Sequence, residues 1–461
     1  MPEYCIDTLE KLGSDATPAD VLGQAEKRVG SILLDSASQD YGFGRFSIFA
    51  CFPRKEIAAH GDRIEVTTTE GMEILHGDPL EYLRSELGCA LEDVSSRRQM
   101  PLYGGALGYF GYDFGRRLRR STLGFDSERK SPDLRFYLYD AVLVWDHSTG
   151  ELFLARNSRN VGASEAGERL KSILNESILD PASIDFEVGP LSNNLSRDDY
   201  LEKVERVRQL ILEGEIYQAN LSRGYAASFV GSSAAFYRRL RMDNPAPYSA
   251  YMNFGDEVIL STSPERFLHC RNGVANTRPI KGTRPRGRNR DEQSSLEREL
   301  ASSEKERAEL LMIVDLERND LGRVCEIGSV EVDNLFALET YASVIHQTAS
   351  VSGRLAKGKD ILDCLAAMFP GGSITGAPKI RAMEALDVIE SECRGIYTGS
   401  IGYLGSGGEA DFNIAIRTLR IAEGRVAFNV GGGIVWDSVP EFEYDETLYK
   451  AEAILKAMGK L

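Results

Sequence analysis

The order of strand-like and helix-like segments constrains the fold of this chain most. Residues 30–150 read mainly as strands, and RFYLYDAVLVWDHSTGELFLARN predicts a hairpin that turns at Ser148–Gly150. Beyond about residue 190, strand-like segments are mixed with helix-like ones, but they do not follow a strict β–α–β order. This mixture predicts an α+β fold with large, mostly antiparallel sheets.

A polar stretch, GPLSNNLSRDDY, marks the main boundary in the chain. Ser196 and Asp199 predict a capping box, and the helix that follows should end near Glu213. We divide the chain into a strand-rich region, 1–190, and a second region, 191–461, with both interleaved in one large fold. Further helices are expected at 291–318, 360–368, 378–390 and 440–458.

The charge balance of the chain argues against several classes of partner. Lys and Arg number 54 against 70 Asp and Glu, a formal net charge of −16, which repels nucleic acid and anionic membranes. No apolar run approaches the roughly 18 residues of a membrane span, and the N-terminal residues lack the apolar core of a signal peptide. The cysteines are scattered and form no CxxC pair. We therefore expect a cytoplasmic protein without a nucleic-acid or membrane partner.

The segment TRPIKGTRPRG, residues 277–287, gathers several arginines around Lys281. Pro279 precedes this lysine and Gly282 follows it, so we expect a tight turn. A lysine amine is a nucleophile only when neutral, and burial or neighbouring cations favour the neutral form. The alternative is a solvated loop lysine. Glu265, in STSPERFL, could pair with Arg266 or act as a proton donor.

Two predicted helices each carry a Glu-x-x-Glu edge. Glu306 and Glu309 share one face of the first helix, as Glu443 and Glu446 do in the last, where Lys450 lies one turn beyond. These carboxylates could hold one Mg²⁺ between the two helices. Alternatively, they are the solvated acids of two exposed helices.

Two glycine-rich segments could bind carboxylates. In FPGGSITGAPKIRAMEAL, Gly376 precedes a helix expected to start at Pro378, and free N–H groups at a helix start bind anions. The second segment, Gly431–Gly433, follows the strand RVAFNV and could form a nest of backbone N–H groups. Either segment could instead be a tight turn.

Arg417 and His346 each lie in a strand-like segment that we expect to be half-buried. A buried guanidinium needs an anionic partner, so Arg417 requires either a ligand or an acid such as Asp411. His346 could face a ligand or be a core histidine with satisfied hydrogen bonds.

Taken together, these segments resemble the chorismate-utilising enzymes. The segments SPERFL, TRPIKGTRPRG, ELLMIVDLERNDLGRV, GGSITGAPKIRAMEAL, YTGSIGYL, FNIAIRTL and GGGIVWDSVPEFEYDETLYKA follow that family's order over residues 195–461. A weaker resemblance covers the first region through ILLDSASQDYGFGRF and GGALGYFGYDFGRR. The resemblance implies an anthranilate synthase component I-like fold, in which the two sheets form a two-layer sandwich with helices on the outside.

Two positions separate the branches of this family. Members that add water to chorismate carry a lysine where this chain has Gln218, and anthranilate-forming members usually carry alanine where it has Lys281. Both positions resemble the branch that converts chorismate and ammonia to 4-amino-4-deoxychorismate, for p-aminobenzoate and folate synthesis. The alternative is formation of anthranilate and pyruvate, and His346 keeps it open because its position is tied to pyruvate elimination in that branch.

The resemblance implies a role for each site residue. Lys281 would attack the ring at C2, Glu265 would protonate the departing C4 hydroxyl, and ammonia would then add at C4 and expel the lysine. Mg²⁺ would be held by Glu309 and Glu446, with Glu306 and Glu443 behind them. His346 and Thr277 match catalytic positions near the ring. The substrate-binding positions are Ser373, Gly376, Tyr397, Arg417, Gly433, Lys450 and Gln218.

The resemblance also implies two partners besides chorismate. The sequence has no Gly-x-Cys-x-Gly elbow, so a separate glutamine amidotransferase subunit is expected to supply ammonia. A tryptophan pocket is implied in the first region, although the family's LLES motif reads LLDS here and its second motif reads NPAPY. Its candidate lining residues are Leu34, Ser36, Phe46, Pro247 and Tyr248.

Overall fold

The computed structural model describes residues 7–38, 44–88, 99–119, 131–157, 160, 162–176, 185–340, 344–390 and 392–460. The first strands are Thr8–Leu12 (β1), Ser31–Asp35 (β2), Phe46–Ala50 (β3), Lys55–His60 (β4), Arg63–Thr68 (β5), Gly71–His76 (β6), Gly105–Phe110 (β7), Leu134–Tyr139 (β8), Ala141–Asp146 (β9), Glu151–Arg156 (β10), Phe186–Val188 (β11) and Ser192–Asn193 (β12). The later strands are Gln218–Gly231 (β13), Tyr248–Asn253 (β14), Glu257–Ser263 (β15), Arg266–Arg271 (β16), Val274–Arg278 (β17), Ile280–Pro285 (β18), Glu331–Thr340 (β19), Val344–Arg354 (β20), Gly376–Ala377 (β21), Ser400–Gly405 (β22), Ala410–Asn413 (β23), Thr418–Ala422 (β24) and Arg425–Ile434 (β25). The α-helices are Leu22–Lys27 (α1), Pro79–Leu87 (α2), Phe114–Leu118 (α3), Ala163–Leu174 (α4), Arg197–Leu212 (α5), Ser233–Asp243 (α6), Arg290–Ser302 (α7), Glu304–Gly322 (α8), Ile361–Met368 (α9), Lys379–Glu390 (α10) and Pro440–Ala457 (α11).

The strands form two large sheets. The first runs β1-β10-β9-β3-β2-β14-β15-β24-β25-β13-β11, with β12 and β21 also paired to β13. The second runs β18-β20-β17-β16-β23-β22-β7-β8-β4-β5-β6, with β19 paired to β20. Strands from the first 190 residues join strands from the remainder where β2 meets β14 and where β7 meets β22, both antiparallel.

Of the four apolar clusters among the described residues, three define the layers. One contains side chains from both sheets, such as Ile48 on β3 and Tyr137 on β8, and therefore lies between them. A second joins the second sheet to α2, α8 and α9. The third joins the first sheet to α1, α4, α6 and α11. The arrangement confirms the predicted α+β sandwich with helices on the outside.

Turn and capping residues in the sequence correctly predicted the positions of several elements. The hairpin of β9 and β10 pairs Asp146 with Glu151, as the turn at Ser148–Gly150 predicts. Helix α5 begins after Ser196, whose hydroxyl accepts from the backbone N–H of Asp199, and Asp199 completes the capping box. Gly214 follows this helix with φ of 77°, in the left-handed region that glycine tolerates.

The predicted helix over 291–318 is two helices. Ser303 ends α7 and starts α8, because its extended backbone interrupts the helical hydrogen bonds and its hydroxyl accepts from the N–H of Glu306. Across the described helices, none is both long and apolar enough to span a membrane.

Candidate active site

Lys281 lies on a strand and not in a tight turn. It belongs to β18, which pairs with β20, and the register shifts between Lys281 and Thr283. Gly282 occupies this bulge with φ of 72°, and a Cβ there would lie 2.7 Å from Leu300 Cδ1. The glycine thus marks a bulge packed against α7, and Lys281 Nζ donates to the backbone oxygen of Ser373 at 3.3 Å.

Two arginines of the same segment, Arg278 and Arg284, are engaged with acids. Arg278 forms an ion pair with Glu339 on β19. Arg284 pairs with Glu299 at 2.8 Å and reaches Glu306 at 3.4 Å. Carboxylates therefore compensate the charge of both arginines, and an effect of these cations on Lys281 stays a prediction.

Glu265 lies between β15 and β16 and is 5% exposed. Ser373 Oγ donates to Glu265 Oε1 at 2.7 Å. Burial raises the pKa of Glu265, although the Ser373 hydroxyl and the charge of Lys281 act in the opposite direction. Arg266 pairs with Asp411 at 3.0 Å, so the alternative in which Glu265 pairs with Arg266 is wrong.

The two Glu-x-x-Glu edges face a common region at α8 and α11. Burial raises the pKa of Glu309, and the charges of Glu306 and Glu446 raise it further, against opposing lysines. Burial also raises the pKa of Glu443. The Glu446 side chain is 49% exposed, and Lys450, whose Nζ lies 2.6 Å from Glu446 Oε1, lowers the pKa of Glu446. The charge of Glu446 on α11 therefore raises the pKa of Glu309 on α8, so carboxyl groups of the two helices interact.

These glutamates do not form a ready-made cage. Within the described ranges, no group of three or more His, Cys, Asp or Glu side chains is placed to hold a metal ion. Mg²⁺ commonly binds through one or two carboxylates and keeps several waters, so a preformed cage is not required. Glu443 Oε2 is buried and has no hydrogen-bond partner among the described residues, which suits an oxygen that awaits a ligand.

The glycine run after RVAFNV continues strand β25 and does not form a turn or nest. Gly433 pairs with Asn220 of β13, and a Cβ there would lie 2.2 Å from Gln218 Nε2 and 3.6 Å from Lys281 Nζ. At Gly432, a Cβ would lie 3.4 Å from Glu443 Oε2. Because these glycines have no side chains, the backbone of β25 can lie close to Gln218, Lys281 and Glu443.

The segment before α10 also differs from the expectation. Helix α10 begins at Lys379, one residue after Pro378. Gly376 pairs with Ala219 of β13 at φ of 149°, and a Cβ there would lie 2.2 Å from the backbone oxygen of Gln218. The glycine is therefore required by close backbone packing.

Arg417 and His346 are both placed by hydrogen bonds. Arg417 lies between β23 and β24, with φ of 49°, and donates to Asn244 Oδ1 at 3.1 Å. Asp411 is not its partner, since that carboxylate binds Arg266.

His346 Nδ1 lies 2.9 Å from Thr283 Oγ1, and burial, assisted by the charge of Arg417, lowers the pKa of His346 to about 3. Tyr397 is buried, and its hydroxyl would lie 3.0 Å from a Cβ at Gly431.

The chain matches the chorismate binding enzyme family over residues 34–456. The chain belongs to this family. It is 38% identical over 426 residues to aminodeoxychorismate synthase component 1 of Klebsiella aerogenes, covering 92% of this chain and 93% of that protein. It is 35% identical over 468 residues to anthranilate synthase component 1 of Acetivibrio thermocellus, covering 98% and 94%.

A solved structure supports the same assignment. Anthranilate synthase component I from Streptococcus pneumoniae TIGR4 superposes with a TM-score of 0.77 at 33% identity, covering 88% of this chain and 91% of that one. The resemblance seen in the sequence motifs is therefore confirmed, and the chain is a chorismate-utilising enzyme.

A separate cavity of about 280 Å³ lies between the sheets of this chorismate-utilising enzyme. Its lining includes all five candidate tryptophan-pocket residues, Leu34, Ser36, Phe46, Pro247 and Tyr248. Ser36 Oγ donates to the backbone oxygen of Phe46 at 2.7 Å. Asp35, where the family motif has glutamate, pairs with Arg241 of α6 and accepts from the Tyr237 hydroxyl at 3.2 Å. Tryptophan binding stays a prediction.

Glu317 is a buried residue near the site that the sequence reasoning missed. It lies on α8 among the buried residues Leu310, Val314 and Leu321, where the apolar helical pattern calls for another hydrophobic residue. A charged residue at such a position is the signal that could have identified it.

Proposed function

We propose that this chain converts chorismate and ammonia to 4-amino-4-deoxychorismate. The proposal rests on one observation: Lys281 and Glu265 are both hydrogen-bonded to Ser373. The backbone oxygen of Ser373 accepts from Lys281 Nζ, and its hydroxyl donates to Glu265. A potential nucleophile and a buried carboxyl are thereby held at one residue, as covalent catalysis with general-acid assistance requires.

The proposed reaction has two displacements. The neutral Lys281 amine forms a bond to C2, the two ring double bonds shift, and the C4 hydroxyl leaves as water with the proton of Glu265. Ammonia then bonds to C4, the double bonds shift back, and the C2–nitrogen bond breaks. The surplus proton of the new amine returns to Glu265, so protons and electrons balance.

Several side chains would orient the substrate for these steps. Tyr397 and Arg417 would bind the enolpyruvyl carboxylate, while Lys450 and the backbone amides at Ser373, Gly376 and Gly433 would receive the remaining oxygens. Gln218, His346 and Thr277 would border the ring. Positioning of this kind accounts for a large share of the rate in many enzymes.

The oxygen donors of Glu309 and Glu446, with Glu306 and Glu443 behind them, suit a hard cation, and they would hold Mg²⁺. When bound, the ion would neutralise the ring carboxylate and fix the ring near Lys281. The ammonia would come from a separate glutamine amidotransferase subunit, since the catalytic cysteine motif of a glutaminase is missing from the sequence.

A second candidate function is anthranilate formation. Anthranilate synthases are among the similar proteins at 35% identity, and His346 lies at the position associated with pyruvate elimination. The two reactions differ in product: anthranilate fluoresces directly, whereas 4-amino-4-deoxychorismate requires a lyase before an aromatic amine appears.

The decisive experiment supplies chorismate, ammonium and Mg²⁺, with and without an added 4-amino-4-deoxychorismate lyase. We expect p-aminobenzoate in the presence of the lyase and little anthranilate in its absence. Lys281→Ala should reduce amination by at least about a hundredfold, because one nucleophile carries the covalent step. The matched control Lys357→Ala, at an exposed lysine in the turn after β20, should keep the fold and most activity. Anthranilate as the main product, or near-normal amination by Lys281→Ala, would overturn the proposal.

A further inference from the structure

Arg394 is a buried cation beside two segments of the proposed site. It follows α10 and is 5% exposed. Its guanidinium pairs with Glu390, the last residue of that helix: Nε donates to Oε2 at 2.8 Å and Nη2 to Oε1 at 2.7 Å. This is the geometry of a bidentate arginine–carboxylate pair. The charge of Arg394 is therefore compensated within the protein, so this arginine does not require an anionic ligand.

The other N–H groups of Arg394 bind oxygens of three further segments. Nη1 donates to the backbone oxygen of Ile374 at 3.1 Å and to Thr398 Oγ1 at 3.2 Å. Nη2 donates to the backbone oxygen of Asn220 on β13. Together with the two bonds to Glu390, these contacts use all five N–H groups of the guanidinium. One side chain thus connects α10, β13 and the two loops that contain Ile374 and Thr398.

The contact at Ile374 concerns the residue that connects Lys281 with Glu265. Ile374 is the last residue of a short 3₁₀ turn, and Ser373 precedes it. The Ser373 hydroxyl donates to Glu265, and its backbone oxygen accepts from Lys281. The last carbonyl groups of a helical turn have no partner within the turn. Arg394 supplies a donor to the one at Ile374 and so fixes the backbone directly after Ser373.

The contact at Thr398 concerns Tyr397, which would bind the enolpyruvyl carboxylate. Thr398 has φ of 60°, a conformation that a β-branched residue adopts only where the surrounding structure imposes it. Its hydroxyl accepts from Arg394 and donates to the backbone oxygen of Tyr397. Arg394 Cζ also lies 5.9 Å from the centre of the Tyr397 ring, within the range of a cation–π contact. Arg394 therefore holds the backbone beside Tyr397 and contacts its ring.

We propose that Arg394 is a positioning residue that fixes the backbone beside Ser373 and beside Tyr397. It acts through these two residues and not by contact with the substrate. The inference rests on the proposed function, which assigns Ser373 to the placement of Lys281 and Glu265. Loss of the contact after Ser373 displaces the nucleophile and the acid, and loss of the contact after Tyr397 displaces a substrate ligand.

The variant that tests this role is Arg394→Lys. Lysine keeps the positive charge, so the ion pair with Glu390 can persist. Its three donors lie on one atom, however, and cannot also reach the separate oxygens at Ile374 and Thr398. We expect kcat for amination to fall about ten- to a hundredfold, because small displacements of catalytic groups have effects of this size.

The second measurement is the equilibrium Kd of chorismate with Mg²⁺ present and ammonia absent. It is made in the Lys281→Ala background, so that no covalent step contributes. Arg394→Lys should raise this Kd about three- to tenfold, the usual effect of losing one hydrogen bond at a binding residue.

Double variants distinguish positioning from a general loss of structure. Because Arg394 acts through Ser373, Arg394→Lys should lower kcat less in the Ser373→Ala background than in the wild type. Because it also acts through Tyr397, it should raise the Kd less in the Tyr397→Phe background. A merely structural defect lowers the fraction of active enzyme by the same factor in every background.

Arg116→Lys is the matched control. Arg116 is also 5% exposed and pairs with Asp387 of the same helix α10 at 2.6 Å. This variant should lose thermal stability to a similar extent but keep the wild-type kcat and Kd. If Arg394→Lys does not fold, Arg394→Gln combined with Glu390→Gln leaves no unpaired buried charge and should show the same losses in kcat and Kd.

Wild-type kcat and Kd in Arg394→Lys would overturn the inference, as would equal effects in every background or the same losses in Arg116→Lys. A change in only one of the two quantities would also contradict it, because Arg394 bonds to both segments. A failure of the proposed function gives a different pattern. In that case anthranilate is the main product, or Lys281→Ala retains amination, while the effect of Arg394→Lys on the Kd still depends on Tyr397.

Discussion

Ser373 connects the two residues to which the proposed chemistry is assigned. Its hydroxyl donates to Glu265 and its backbone oxygen accepts from Lys281. The hydroxyl and the backbone oxygen of Ser373 therefore bind different partners. A substitution can remove the contact of the hydroxyl with Glu265 and leave that of the backbone oxygen with Lys281. The sequence motif GGSITGAP identified this serine, but its bond to Glu265, 108 residues earlier in the chain, is a product of tertiary structure.

Ser373→Ala should lower the amination rate by about ten- to a hundredfold, the effect of losing a hydrogen bond to a charged group in the site. The Ser373 hydroxyl lowers the pKa of Glu265, so its removal raises that pKa. A general acid works while it is protonated, and the alkaline decline in kcat should therefore move to higher pH. The pH dependence of kcat at constant free ammonia checks this.

The control for this variant is Ser85→Ala, at an exposed serine on α2 that bonds to a backbone oxygen of its own helix. It should leave the pH profile unchanged. A Ser373→Ala profile that coincides with the wild-type profile would show that the serine does not tune Glu265.

At the scale of elements, the break at Ser303 orients the helix that carries Glu306 and Glu309. A single helix over 291–318 would have continued α7 in one direction, whereas the new start at Ser303 lets α8 pack against β18 and β20. The helical pattern of the sequence is continuous across the break, so the prediction missed it. The serine followed three residues later by Glu306 was the available local signal.

Ser303→Ala should cost about 1 kcal/mol of stability, the usual effect of removing an N-cap serine. Because Glu306 and Glu309 lie in the first turns of α8, the Mg²⁺ concentration needed for half-maximal amination should also rise. Thermal unfolding and a Mg²⁺ titration of activity measure the two effects.

Ser196→Ala provides the matched control, since Ser196 caps α5 in the same way but this helix carries no proposed metal ligand. It should show a similar loss of stability with an unchanged Mg²⁺ requirement. Equal Mg²⁺ titrations for both variants would argue against a role of the Ser303 cap in placing the glutamates.

At the scale of the whole molecule, both sheets are assembled from distant parts of the chain. In the first sheet β2 pairs with β14, and in the second β7 pairs with β22. The apolar cluster between the sheets contains Ile48 and Tyr137 from the first region together with Ile259 and Ile401 from the second. Each region alone would leave strand edges unpaired and this cluster half exposed.

Fragments 1–190 and 191–461 should therefore not fold when expressed separately. We expect each to lack cooperative thermal unfolding and to aggregate, while the full chain unfolds cooperatively. Co-expression of both fragments should partly restore chorismate binding. A separately folded 191–461 fragment that binds chorismate would contradict this expectation.

The sequence by itself determined the features that depend on nearby residues or on a long run of motifs. The hairpin at Ser148–Gly150, the capping box at Ser196 and helix α11 follow from short-range patterns, and the order of the motifs identified the family. Tertiary structure alone decided which charges pair and which are buried. It paired Asp411 with Arg266 and not with Arg417, placed Lys281 on a bulged strand and enclosed Glu317. The physical reason is range: a turn or cap is set by neighbours a few residues away, whereas burial and ion pairing depend on which distant segments the packing brings together.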